Sequence, residues 1–366
     1  MKKTIKTLLS WCLAAVISLL IANLISFFYR SGAGSITRDN AFSTSIRTPN
    51  SRMVRGSEGY GINHVDENGY LNDDTLPLKD NYILMMGSSH AEGLQVMQKD
   101  SMVSLLNQMI DPSARTVYNL GTAGYTLPLI VQGFQAGLEE FPHASAVMIE
   151  ISQLTFSADE LTQAMDQTKY DPASTGQALM QSLDTGLKTR NAILEYVPLI
   201  SLLRQQFDSM NLSMKDAFGI RDFLTSQKSS LPDPDAQSTD AEAAEEKETA
   251  AFTNALNQAL ALLRAEVEGP IILLYHSGVG AQADGKIVVT RDMRYYDVYR
   301  AACEQNGIVF VDPGDAFMRA YEDDYSVPYG FSNTTLMRGH LNRVGQRIVA
   351  EEFYKAWVNI QDEEKK

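Results

Sequence analysis

Five short, largely apolar runs constrain this chain more than any other feature. "NYILMMG" (Asn81–Gly87), "RTVYNLG", "ASAVMIEI", "PIILLYHS" and "IVFVD" recur between stretches whose apolar residues fall at helical spacing. Runs of this length closed by turn residues are strands. Continuous apolar character, rather than alternation, belongs to strands covered on both faces. Between them, "KDSMVSLLNQMI" sets Met102, Leu105, Leu106 and Met109 on one helical face, and "LPLIVQGFQAGLEE" repeats the pattern. "RYYDVYRAACEQNG" reads as a helix closed by Gly307, and "LNRVGQRIVAEEFYKAWVNI" as the final one. Strands alternating with helices predict an α/β chain: a doubly wound, parallel five-stranded sheet with helices on both faces. A middle section from Thr155 to about Gly269 is read as a helical insertion, interrupted by the acidic run "DPDAQSTDAEAAEEKE" (Asp233–Glu248). That run has the composition of a solvated linker.

Ahead of the sheet, "MKKTIK" is followed by 23 uncharged residues, Thr7 to Tyr29. At ~1.5 Å per residue a helix of that length covers about 34 Å, enough for a hydrocarbon core of roughly 30 Å. Lys2, Lys3 and Lys6 precede it, so the positive-inside rule keeps the N-terminus cytoplasmic and sends the remainder outward. Phe27, Phe28, Tyr29 and Arg30 would mark the outer interface. A cleaved signal peptide has an apolar region of only about 7–15 residues and a small-residue cleavage site. The longer run and its bulky "FFYR" end favour an uncleaved anchor. The expected organisation is a cytoplasmic tip and transmembrane anchor (1–30), a membrane-proximal stalk rich in Ser, Gly, Asn and Arg (31–75), and one domain (76–360) carrying the insertion at about 155–269. A formal charge of −14 argues against nucleic acid as a partner. Cys12 and Cys303 cannot pair within the folded body, and neither the cysteines nor the five histidines offer metal-ligand spacing. No metal or cofactor is expected.

In doubly wound sheets, ligands bind beyond the carboxyl ends of the strands. The first strand ends at Gly87, which puts Ser88, Ser89 and His90 at that rim. Serine at such a place is also a common helix N-cap. The second strand ends in "NLGTAGYT" (Asn119–Thr126), whose glycines can turn backbone amides toward a ligand, and "RGHLNRVGQ" sets His340 before the last helix. A serine, an amide-rich turn and a histidine at three loops of one rim meet most needs of acyl transfer.

At these residues, and over most of Asn68–Trp357 outside the middle section, the chain resembles the SGNH (GDSL-like) hydrolase superfamily. The likeness is carried by "NGYLNDD", "GSSHAEGLQV", "NLGTAGYT" and "GHLNRVGQRIVAEEF". It implies Ser89 as nucleophile, Gly124 as oxyanion glycine and His340 as base. Position 88 is Ser where the family mostly has Asp; the Gly-Ser-Ser form is similar to the branch that includes the teichoic acid D-alanylation protein. Met337 stands where the family's D-x-x-H would place its acid, which leaves a backbone carbonyl, Asp312 or Asp315 to orient His340. The third block reads "EISQLT", and Gln153 is the amide nearest to the family's oxyanion asparagine.

His90 is expected to line the rim rather than act as base, and His276, ending the fourth strand, to be a satisfied structural histidine; His64 and His143 receive no role. The resemblance implies a membrane-anchored, extracytoplasmic acyltransferase or esterase acting on acyl, chiefly O-acetyl, groups of a cell-envelope or exported polysaccharide. A membrane-bound O-acyltransferase is the partner that would supply the acyl group. A non-catalytic glycan-binding or assembly factor is the alternative: the missing Asp and Asn favour it, and Ser89 with His340 opposes it. A lipase or thioesterase ranks third, since nothing marks a wide apolar groove.

Overall fold

A computed structural model of the chain describes residues 2–27, 47, 49–56, 58–167, 197–200, 202–203, 239–291 and 293–365. A helix, α1 (Lys2–Ser26), comes first. The folded body begins with an antiparallel hairpin of β1 (Arg52–Arg55) and β2 (Gly61–His64). Then follow β3 (Leu78–Gly87), α2 (Ser89–Glu92), α3 (Met102–Ile110), β4 (Arg115–Asn119), α4 (Leu127–Glu140), β5 (Ala144–Ile151) and α5 (Ala158–Asp166). After the middle section come α6 (Thr239–Glu266), β6 (Ile271–Tyr275), a second hairpin of β7 (Gly278–Ala281) and β8 (Ile287–Thr290), α7 (Met293–Gln305), β9 (Val309–Val311), α8 (Gly314–Asp324) and α9 (Arg343–Glu364).

The central sheet has five parallel strands in the order β4-β3-β5-β6-β9. All five apolar runs of the sequence are its strands. On β3, Leu84 and Met86 enter a core closed by α4, α5, α6 and α7, where they join Phe134, Phe252 and Tyr299. Ile83 and Met85 enter the other core, under α3, α8 and α9, with Leu106, Phe317 and Phe353. Both faces being covered is the reason these strands carry no polar alternation. Each such fully buried side chain is worth roughly 1.5–3 kcal/mol. A truncation such as Leu84→Ala would cost about 2–5 kcal/mol.

Two expectations need correction. From Arg47 onward, the segment read as a stalk belongs to the domain. Met53, Val65 and Leu71 form a small buried cluster with Leu94. Asp66 beside it accepts from the backbone of Asn68 and Tyr70, from Asn72 Nδ2 and from Tyr118 Oη. Arg47 pairs with Glu92, whose side chain is almost wholly buried. A few apolar residues set among arginines and glycines are enough to dock this piece, and that composition resembles a linker. The second correction concerns the acidic run, whose latter part, Thr239–Glu248, opens α6 rather than forming a loop. Acidic residues near a helix N-terminus are favoured by the macrodipole. Residues 28–46, the earlier part of that run and most of "GQALMQSLDTGLKTRNAILEYVPLISLLRQQF" lie outside the described residues.

Within α1, Thr4–Ser26 is long and apolar enough to cross a bilayer, a property that signal sequences share. Its large side chains, Leu8 and Trp11 among them, stand exposed.

Candidate active site

The turn after β3 separates two roles for its two serines. Gly87 is obligatory, since a Cβ there would lie 2.7 Å from both the Ala91 methyl and Glu150 Oε2. Ser88 is the N-cap of α2; its Oγ accepts from the His90 N–H at 3.2 Å and donates to Glu150 at 2.9 Å. Ser89 opens the helix and is free of capping. Its Oγ lies 2.8 Å from His340 Nε2.

His340 sits in a loop whose backbone is pinned to the strand-like segment at Tyr329: Gly330 N–H donates to the His340 carbonyl at 3.1 Å, and Tyr329 bridges Leu341. The next residue but one, Asn342, caps α9 by accepting from Val344 and Gly345 N–H. On the far side of the ring, His340 Nδ1 is 2.6 Å from Glu58 Oε2, while His340 N–H donates to Glu58 Oε1 at 2.8 Å. A Cβ on Gly339, whose φ is +78°, would come within 2.3 Å of Glu58 Oε1, so glycine alone admits the carboxylate here. The turn bearing Glu58 is held by Asn333, which accepts from Gly59 N–H and donates to the Gly56 carbonyl.

Glu58 thus replaces the orienting groups expected from the sequence. Asp312 is taken by Arg291 at 2.6 Å and by Gly314 N–H, and Asp315 also faces Arg291. Burial works against the charge on Glu58. The bonds from the His340 ring and backbone, and the nearby charges of His340 and Arg55, outweigh it and hold the carboxyl below its usual value. An ionised acceptor at Nδ1 fixes the proton on that nitrogen and leaves Nε2 free to take the serine proton.

Ser89, Gly124, Tyr125, Ile151, Ser152 and Gln153 line a pocket of about 110 Å³. That is small beside the roughly 300–1,000 Å³ of drug-sized sites. Gly124 has φ +84°, and a Cβ there would meet open space. Among the described residues, the N–H groups of Ser89 and Gly124 and the amide of Gln153 donate to no acceptor. Three of the four residues singled out from the sequence, Ser89, Gly124 and Gln153, therefore line one pocket, and the fourth, His340, reaches Ser89 beside it.

The other histidines fall elsewhere. His90 is buried beneath the site rather than lining its rim: its Nδ1 accepts from Leu341 N–H at 3.1 Å, and its ring lies 4.6 Å from that of His276 and 5.1 Å from that of His340. Burial, and then the neighbouring His276, push its pKa well down, so it is neutral. His276 is a fully buried, satisfied histidine, bonded to Tyr329 Oη and Glu150 Oε1 at 2.7 Å each. His64 faces Asp74, and His143 is exposed. Among the described residues no cluster of His, Cys, Asp and Glu could hold a metal. A larger cavity, about 680 Å³, opens at the amino ends of β5 and β6, away from this rim, where Ala144, Ser145 and Gly269 line it.

Sequence reasoning missed Glu58 and Glu150. Glu150 carried a readable signal, being the one charge within the buried run "AVMIEI". Glu58 carried none, since an acid between small residues is ordinary in a linker.

No family model matches the chain, and no curated protein does. Similar solved structures include LAE5, an alpha/beta hydrolase from the metagenome of Lake Arreo, Spain, at 14% identity over 76% of this chain and 95% of that one, with a TM-score of 0.38. A catalytic mutant of Axe2, an acetylxylan esterase from Geobacillus stearothermophilus, is similar at 13% identity over 76% and 94%, with a TM-score of 0.36. TesA is similar at 12% identity over 75% and 97%, with a TM-score of 0.36. Likeness this distant carries no residue role across, and the site stands on its own geometry.

Proposed function

We propose that this chain is an SGNH-type serine esterase or acyltransferase acting on O-acyl groups, most simply O-acetyl, of a cell-envelope or exported polysaccharide. The hydrogen-bonded row Ser89–His340–Glu58 is the observation that carries this reading. As Ser89 Oγ attacks the acyl carbonyl, its proton passes to His340 Nε2, and Glu58 stabilises the imidazolium that forms. The Ser89 and Gly124 N–H groups and the Gln153 amide are the donors available to the oxyanion. His340 then returns the proton to the departing sugar hydroxyl, leaving acyl-Ser89. Water ends the cycle in an esterase; a second sugar hydroxyl does so in a transferase. The small pocket suits a short acyl group.

In this reading α1 anchors the enzyme, Lys2, Lys3 and Lys6 keep its N-terminus cytoplasmic, and the domain works outside the membrane. A membrane-bound O-acyltransferase would be the acyl donor and a glycan the acceptor or substrate. The test is labelling by a serine-reactive fluorophosphonate together with turnover of a small acetyl ester. Ser89→Ala should abolish labelling and lower turnover by roughly 10³-fold or more. A folded wild-type protein that reacts with neither reagent would move the glycan-binding alternative ahead.

A further inference from the structure

We propose that Glu150 is a positioning residue: through Ser88 on one side and His276 and Tyr329 on the other, it ties the turn bearing Ser89 to the loop bearing His340. It thereby sets the distance between nucleophile and base. The inference rests on the Ser89–His340 reading above.

Glu150 is the penultimate residue of β5, in register with Gly87, and its side chain is fully buried. Oε2 accepts from the N–H of Ser88 at 2.8 Å and of Ala91 at 3.2 Å, two amides that flank the nucleophile along the chain. Ser88 Oγ donates to the same carboxylate. A helix of four residues has little cohesion of its own, so these bonds hold Ser89 in place.

The other oxygen, Oε1, meets His276 Nε2, and His276 Nδ1 meets Tyr329 Oη. The Tyr329 hydroxyl donates its proton to the Ser277 carbonyl at 2.8 Å and therefore accepts from His276 Nδ1–H. The contact between Nε2 and Oε1 then needs one further proton, and the Glu150–His276 pair is net neutral whichever atom holds it. Tyr329 in turn is fixed to the base loop: its carbonyl accepts from Met337 N–H at 3.0 Å, it bridges Leu341, and Gly330 N–H binds the His340 carbonyl. One continuous chain of hydrogen bonds thus runs from the nucleophile turn to the base loop beneath the reacting atoms. An apolar residue could fill this place in the strand without burying a charge. A carboxylate with all its acceptor sites engaged has a placing role.

The readout is the second-order rate of fluorophosphonate labelling of full-length protein, which reports the Ser89–His340 geometry independently of any glycan. Glu150→Leu should label about 10²-fold more slowly, as expected for a misplacement of about 1 Å. Its KM for an acetyl ester should stay within about threefold of wild type while kcat falls, since ground-state binding is untouched. Glu150→Gln should recover most of the rate: its carbonyl can accept from Ser88 and Ala91, and its NH₂ can donate to His276 Nε2. Tyr329→Phe keeps the ring but breaks the chain at the hydroxyl, and should label about tenfold more slowly.

A purely structural role would lower stability and leave the labelling rate of the folded fraction unchanged; that result for both Glu150→Leu and Tyr329→Phe overturns the proposal. If Glu150→Leu does not fold, Tyr329→Phe decides, and a wild-type rate there overturns it. A Gln variant as slow as the Leu variant overturns it too, because placement is then not what matters. Wild type that does not label at all defeats the serine-enzyme reading itself, a separate failure.

Discussion

Replacing Glu58 by glutamine should harm activity more than replacing it by alanine. Both carboxylate oxygens accept: Oε1 from His340 N–H and Oε2 from His340 Nδ1–H. A glutamine in the same place has one acceptor and one donor. The backbone N–H cannot reverse, but the imidazole can change tautomer. The amide will therefore give its oxygen to the backbone and its NH₂ to Nδ1, which moves the ring proton to Nε2, facing Ser89. Restoring the productive tautomer means leaving the His340 N–H without its acceptor, at ~1–2 kcal/mol in this part-buried position. Only about one molecule in five to one in thirty would then hold an imidazole able to take the serine proton.

Glu58→Ala loses the charge but imposes no tautomer, and should lower kcat on the order of 10³–10⁴-fold. Glu58→Gln should fall a further five- to thirtyfold, close to the floor set by Ser89→Ala. Ester turnover and fluorophosphonate labelling of both variants, with circular dichroism to confirm folding, make the comparison. Glutamine matching wild type would show that Glu58 does not orient the base. Glutamine outperforming alanine would refute the tautomer argument.

Ser88→Ala should act on stability more than on chemistry, lowering it by about 0.5–2 kcal/mol through the lost cap, and a denaturant titration reads this directly; activity loss as large as in Ser89→Ala would exchange the two serines' roles. Since Glu58 is held below the ordinary glutamate value, its contribution to stability is complete above about pH 4.3 and is lost as pH falls through its lower folded-state value. The melting-temperature gap between wild type and Glu58→Gln should be flat near neutrality and close in acid; a gap that widens there contradicts the sign. External protease on intact cells should digest the domain and leave a short protected N-terminal fragment, whereas a fully protected domain would place it inside.

The five strands were legible because a strand buried on both faces needs apolar side chains in succession, a pattern that survives whatever the loops do. The hairpins were not. In β1 the two buried residues, Met53 and Val54, stand between arginines, and β7 is "GVGA", with one large apolar side chain. Neither leaves a periodic trace. Ser89, His340, Gly124 and Gln153 stood out as candidates because each lies in a loop just beyond a strand of the sheet or just ahead of a helix, where local pattern and rim position coincide. Glu58 could not, since it reaches His340 across 282 residues of sequence from a turn that no periodicity announces. Looking three residues before the histidine was misleading for a physical reason: Met337 takes φ +66°, and the loop there turns back on itself rather than aligning an acid with the ring.

The entry of Glu58 from the segment between α1 and the central sheet bears on how the protein can be cut and recombined. A gene fragment starting at Thr75 would encode every strand of the central sheet, Ser89, His340 and three of the four blocks that resemble the superfamily. Its product would be a histidine with no acid, and Glu92 would be buried without Arg47. A secreted version, a domain swap or a fusion must therefore begin upstream of Arg47. The piece of chain that looks most like packaging travels with the Ser89–His340 site as part of it.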